Sequence, residues 1–262
     1  MSTAEGADLS VASLESTKDE ALFREPPQRD ECDICMLPLP LDRDKQRYQS
    51  CCGKVLCCGC IDAAYAADNR CLCPFCRTPR HTSNEELMER LKKRVEGNDA
   101  RAIRNLGSLY YSGDKGLPQN YDKAMELWLR AGELGCVASY GGVGDVYRIG
   151  EGVQQRDEKK AIYYYELAAM GGYAKARHNL GVLEWNAGIY HRAVKHYMIS
   201  AGAGYDNSLT QIREAFLHGH ATKDDFEKAL RAHKEAKDEM KSDQREAAVA
   251  FLAAHDTARG QR

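Results

Sequence analysis

The chain has 262 residues, 43% hydrophobic and 29% charged, with a formal net charge of −2 and a pI near 6.5. That length gives room for one large or two modest domains, and the near-neutral balance excludes a nucleic-acid partner held by bulk electrostatics. No window approaches the run of about 18 apolar residues that a membrane helix needs, so no membrane partner is expected.

Residues 1–28 open with "MSTAEGADLSVASLESTKDE", which is acidic, rich in Ser and Thr, and without an apolar core. The stretch predicts a disordered lead-in and no secretory signal. A chain without such a signal belongs in the cytoplasm or nucleus, where thiols stay reduced, and its cysteines then point to metal rather than to disulfides. Ten of the eleven cysteines fall between Cys32 and Cys76. The eleventh, Cys136, reads as a small hydrophobe of a helical core.

Three pairs with two intervening residues stand out: Cys32 and Cys35 in "CDIC", Cys57 and Cys60 in "CCGC", Cys73 and Cys76 in "CPFC". Such a turn aims two sulfurs at one point about 2.3 Å away, which suits a tetrahedral ion. Six thiolates are too many for one ion and two short of two. Cys51 and Cys52 complete eight, with Cys71 of "CLCPFC" as an alternative to Cys51, and Cys58 is left as a bystander.

This order of pairs, over residues 29–81, resembles a RING finger. The resemblance implies two zinc ions in a cross-brace, one on Cys32, Cys35, Cys57 and Cys60 and the other on Cys51, Cys52, Cys73 and Cys76. The sequence departs from the family at one place. Most RING fingers read Cys-Gly-His where this chain reads Cys52-Gly53-Lys54, and a lysine ammonium does not ligate at neutral pH. Adjacent cysteines on extended backbone point to opposite sides, so Cys51 and Cys52 reach one ion only through a sharp turn, which Gly53 eases. The resemblance also implies a docking face for a ubiquitin-conjugating enzyme, made by Ile34, Pro74 and Phe75, with Arg77 touching both that enzyme and ubiquitin. Where the family often carries a large apolar side chain this sequence has Ala64. Four thiolates close the coordination of zinc, so the ions are expected to be structural. The finger's contribution is then orientation, with no catalytic residue of its own.

Residues 82–240 turn helical and alanine-rich. Ser83 and Glu86 predict a capping box, opening a helix that stops at Gly97. Gly107, Gly144 and Gly181 follow at equal intervals of 37, and Ala124, Ala161, Ala193 and Ala229 mark a second helix in each unit. The step from Ala161 to Ala193 is only 32, because the loop in "WNAGIYHRA" is shorter. A period in the thirties with two helical patterns per unit predicts a helix-turn-helix solenoid. Small residues let the paired helices approach, while Leu106, Tyr110, Trp128 and Tyr165 fill the space between them. The units resemble Sel-1-type repeats, relatives of the tetratricopeptide repeat, over residues 98–204. The fourth unit is degraded, with Arg213 in the glycine position and Met240 for a terminal glycine, as a capping repeat allows. Residues 241–262 predict a capping helix, from Asp243 to Ala254, and a loose tail.

The expected fold class is therefore mostly α: a small cross-brace zinc finger followed by an α-solenoid. Two functions remain open. One is a RING-type ubiquitin ligase whose repeats hold an unidentified substrate or adaptor protein on their concave face. The other is a non-catalytic protein-interaction scaffold with a structural zinc finger.

Overall fold

The structure, a computed structural model, describes residues 19–67 and 70–250. The cysteine-rich part contains an antiparallel hairpin, β1 (Gln46–Tyr48) and β2 (Val55–Cys57), in which Arg47 lies opposite Leu56. A helix, α1 (Cys58–Ala67), follows directly. Its small core of Leu39, Leu56 and Ile61 packs against Cys32, Cys57 and Cys60.

The rest is helical: α2 (Asn84–Glu96), α3 (Ala100–Ser112), α4 (Tyr121–Glu133), α5 (Ala138–Ile149), α6 (Glu158–Met170), α7 (Ala174–Asn186), α8 (Tyr190–Gly202), α9 (Asp206–Leu217) and α10 (Lys223–Glu239). Residues 243–250 are also helical, and the remainder of the expected last helix and the tail lie outside the described residues. From α3 onward the helices pair in sequence order and stack, which is the solenoid that the repeat period predicts.

The glycine period has a direct packing cause. A Cβ on Gly107 would sit 2.8 Å from Trp128, one on Gly144 2.6 Å from Tyr165, and one on Gly181 2.6 Å from Tyr197. Each first helix thus gives up a side chain so that an aromatic ring of the second can lie against its backbone. Tyr165 is fully buried, and its hydroxyl donates to Asp145 Oδ1 at 2.7 Å. In the fourth pair Arg213 is exposed and His233 takes the aromatic position, bonded to Asp206 at 2.8 Å. Asp99, Asn120 and Asp157 cap α3, α4 and α6 through their side chains.

Two expectations are revised. Ser83 Oγ does accept from the Glu86 amide at 3.2 Å, but Glu86 Oε2 reaches the Thr82 amide at 2.9 Å rather than that of Ser83. Its other oxygen is held by Arg90. Residues 1–18 of the expected disordered lead-in lie outside the described residues, whereas residues 19–28 pack along the repeats, with Leu22 only 1% exposed. Composition sees few apolar residues there and misses that Leu22 has a ready pocket among Ala168, Ala169, Leu180 and Leu183.

The two ends of the fold meet. Residues 243–250 lie against the start of α1, where a Cβ on Gly59 would be 2.8 Å from the Arg245 backbone. Between this contact and helices α3 and α5 runs a groove of about 1040 Å³, lined by Arg104, Trp128, Gly142, Asp145, Lys175 and Lys237 among others. No described helix is long and apolar enough to cross a membrane.

Candidate metal centres

The first and last cysteine pairs adopt the same main-chain turn. The Cys32 amide donates to Leu37 O at 3.0 Å and Met36 N returns to Cys32 O at 2.9 Å. Cys73 repeats this with Thr78 O at 2.8 Å, and Arg77 N with Cys73 O at 2.9 Å. Met36 (φ 57°) and Arg77 (φ 61°) occupy the left-handed region, a strain of roughly 1–3 kcal/mol each that persists only where the surroundings enforce it. In each knuckle the turn sets two sulfurs side by side.

Cys51 and Cys52 sit in the turn between β1 and β2. Gly53 N bonds Gln49 O at 2.8 Å and Gln49 N bonds Lys54 O at 2.8 Å, with Gly53 at φ 77°. That sharp reversal is what brings two adjacent side chains to one side, and glycine supplies it without steric penalty.

The eight cysteines gather into two groups, Cys32, Cys35, Cys57 and Cys60, and Cys51, Cys52, Cys73 and Cys76, with the sulfurs of each group within 4.8 Å of one another. Tetrahedral ligation with bonds of about 2.3 Å puts the sulfurs about 3.8 Å apart. Here Cys35 and Cys57 are 3.9 Å apart, Cys52 and Cys73 3.9 Å, and Cys51 and Cys76 3.4 Å. All are free thiols. Donor chemistry and spacing therefore fit a metal ion in each group. Cys71 is exposed and belongs to neither group among the described residues, and Cys58 instead donates to Asp44 O at 3.2 Å. Cys136 is half-buried against the α2–α3 core.

The thiols titrate as sets rather than singly. Burial raises Cys32, but amide donors at Cys35, Cys57 and Ile34 overcome it and bring the thiol down to about 7. Burial likewise raises Cys76, and Thr78 overcomes it through its hydroxyl and backbone, lowering the thiol to about 6. Their neighbours Cys51 and Cys60 are pushed well up by burial and by thiols already near them, and Cys52 rises to about 11, with burial again the main cause. The first thiolate in a group is stabilised by the remaining S–H donors, and the next must form against its charge. A divalent cation removes that conflict and displaces the protons.

Lys54 ligates nothing. Its ammonium lies 2.8 Å from Asp33 Oδ1 and 5.2 Å from the centre of the Phe75 ring, so it bridges the first and last knuckles. Ile34 and Phe75 are 42% and 44% exposed, Arg77 is exposed, and Pro74 is half-buried. Ala64, where the resemblance implies a larger apolar side chain, is half-buried on α1.

Two residues escaped the sequence reading. Arg245, about 200 residues downstream, donates to Cys35 Sγ at 3.3 Å, Pro38 O at 2.8 Å and Leu37 O at 3.3 Å. Arg94 of α2 donates to Cys51 O at 2.6 Å. Each cysteine group is thus buttressed by an arginine from one end of the helical array. Neither contact leaves a local pattern, so no motif points to it.

Residues 100–136 and 138–173 each match the Sel1 repeat. In Arabidopsis thaliana the ERAD-associated E3 ubiquitin-protein ligase component HRD3B is 32% identical over 99 residues, which is 38% of this chain and 15% of that protein. Cytochrome c oxidase assembly factor 7A of Xenopus laevis is 34% identical over 67 residues, 26% of this chain and 29% of that protein. The chain thus spans less than a third of either curated relative. Among solved structures, a Sel1 repeat protein from Oxalobacter formigenes superposes with a TM-score of 0.52 and 28% identity, covering 59% of this chain and 64% of that one. A protective antigen of uropathogenic Escherichia coli displaying an SLR fold gives 0.50 and 28%, over 59% of this chain and 33% of that one. The chain carries Sel1 repeats, and such repeats bind other proteins.

Proposed function

We propose that the chain is a RING-type ubiquitin ligase that works in the cytoplasm or nucleus, with a zinc finger over residues 29–81 and a partner-binding repeat array over 82–240. Zinc on each cysteine group would supply structure, because four thiolates leave no coordination position for a substrate. Ile34, Pro74 and Phe75 form the docking face for a ubiquitin-conjugating enzyme, and Arg77 reaches its ubiquitin. The repeats hold a substrate or adaptor protein. The ligase effect is positioning: a substrate lysine is held near a thioester that the conjugating enzyme carries.

The observation that carries this reading is the interleaving of the two cysteine groups. The first and third pairs form one group and the second and fourth the other, the order that a cross-brace would need. The exposure of Ile34 and Phe75 supports it. So does the likeness to a plant protein named as a component of a ubiquitin ligase.

A ubiquitin-chain assay with zinc-loaded protein and a panel of conjugating enzymes tests it. Activity with at least one enzyme is expected, lost in Ile34→Ala and in Arg77→Ala while the fold is kept. Silence across the panel contradicts it and favours the scaffold reading, to which Ala64 already lends weight by thinning the docking face.

A further inference from the structure

Residues 19–23 form one helical turn, closed by Phe23 N to Asp19 O at 2.9 Å, and this turn fills a groove between α6 and α8 that is floored by α7. Leu22 is buried in an apolar cluster that includes Ala161, Tyr165, Ala168, Ala169, Leu180 and Leu183. Its carbonyl accepts from Arg177 at 2.7 Å, and the same guanidinium binds Ala169 O at 2.9 Å. Arg177 is only 2% exposed, so a buried arginine of the array is committed to reading a main-chain oxygen of a remote segment. Phe23 lies beneath two cations, Arg192 at 5.1 Å and Lys195 at 5.5 Å, with the His196 ring 4.7 Å away. Asp19 pairs with Arg192.

Leu22 is part of the buried core, yet the segment meets the array through few side chains, as a short linear peptide does. An acid, a leucine three residues on and an aromatic next to it carry the contacts, while Glu20, Arg24 and Glu25 are exposed. The fit is also incomplete. His196 is fully buried beside Phe23; its Nε2 lies 3.4 Å from Glu184 Oε2, and its Nδ1 lacks a hydrogen bond. A buried nitrogen left without a partner costs part of its desolvation, and the segment is in addition tethered to the same chain, which raises its effective concentration at the site. Residues 24–28 are that tether, with Pro27 lying against Gly172 of the repeats.

We propose that the α6–α8 groove is a peptide-recognition site, occupied in cis by residues 19–23, and that in trans it takes a helical turn of the pattern acidic-x-x-Leu-aromatic from a protein partner. This deepens, and rests on, the reading that the repeats hold a partner protein.

A fluorescent peptide spanning residues 17–28 is the probe, titrated by anisotropy into the full chain and into the full chain bearing Leu22→Asp with Phe23→Ala. The double variant should bind at least about tenfold more tightly than the unmodified chain, whose groove is blocked at high effective concentration. A peptide carrying Leu22→Asp should not bind, and Arg192→Ala added to the double variant should weaken binding. Equal binding to blocked and opened chains overturns the proposal. Hydrogen exchange on the unmodified chain decides independently of whether the double variant folds. Amides 20–24 exchanging faster than those of α6 to α8 support a displaceable segment, and exchange only with global unfolding makes it part of the core and overturns the site. The peptide readout needs no ubiquitin, so a failed groove leaves the ligase reading standing, and a silent ligase assay leaves the groove standing.

Discussion

At the scale of single residues, Lys54 and Arg245 divide the charge work around the cysteines. Lys54 stands where the resemblance to RING fingers would put a histidine, and its ammonium lies against Asp33 and the Phe75 ring. Arg245 brings a permanent cation to Cys35 Sγ. Four thiolates around a divalent ion leave an excess of two negative charges, and a guanidinium donating to a sulfur offsets part of it. Loss of such outer partners typically weakens metal binding 10- to 100-fold. Arg245→Ala is therefore expected to release zinc from the first group about 10- to 100-fold more readily in a chelator competition, with the second group unchanged. Equal loss from both groups, or from neither, contradicts that role.

At the scale of elements, the glycine landmarks make a paired test of the packing argument. A Cβ at Gly144 would lie 2.6 Å from Tyr165, whereas one at Gly142 would meet Trp128 at an ordinary 3.4 Å. Gly144→Ala should destabilise the fold by about 1–3 kcal/mol through overpacking. Gly142→Ala should be neutral or stabilise by up to about 1 kcal/mol, because alanine is the better helix former. Thermal melts of the two variants check the difference in sign. The histidines of the array give a second test. Burial, assisted by Lys175, lowers His178 to about 4, and burial also lowers His196. A free histidine titrates near 6.5, so between about 6.5 and 4 the unfolded chain binds more protons than the folded one. Stability is fully present above that window and falls as pH drops through it. The melting temperature should decline from pH 7 to 4.5, and His178→Phe should flatten part of that slope. A slope unchanged by the variant would show that His178 is not responsible.

The same scale explains what was legible beforehand. The Gly107, Gly144 and Gly181 period is visible in sequence because each repeat solves one packing problem with residues a fixed distance apart. The cysteine pairs are visible because a knuckle is local. Cys51 was separable from Cys71 only in three dimensions, since the β1–β2 turn, not the spacing, decides which sulfur joins Cys52. Leu22 with Arg177 and Arg245 with Cys35 link residues 155 and 210 apart. Such contacts obey no period, and composition even misreads the first of them as disorder.

At the scale of the whole molecule, the helical array brings residues 243–250 back to the finger, with the groove of about 1040 Å³ enclosed between them. On the proposed reading, a finger with this few apolar anchors depends on metal for its fold, and the far end of the chain should then feel metal loss. Chelation is expected to raise hydrogen exchange across residues 243–250 as well as 30–80, while α6 to α8 keep their protection. Unchanged exchange at 243–250 would mean that the contact between the ends is independent of the metal.

The proposed ligase turns on the two interleaved cysteine groups. Native mass spectrometry of the full chain counts bound metal most directly. The account predicts two zinc ions per chain, one remaining after Cys51→Ser or Cys52→Ser, and two remaining after Cys71→Ser. Fewer than two ions in the unmodified chain, or loss of one with Cys71→Ser while Cys51→Ser keeps both, would contradict it.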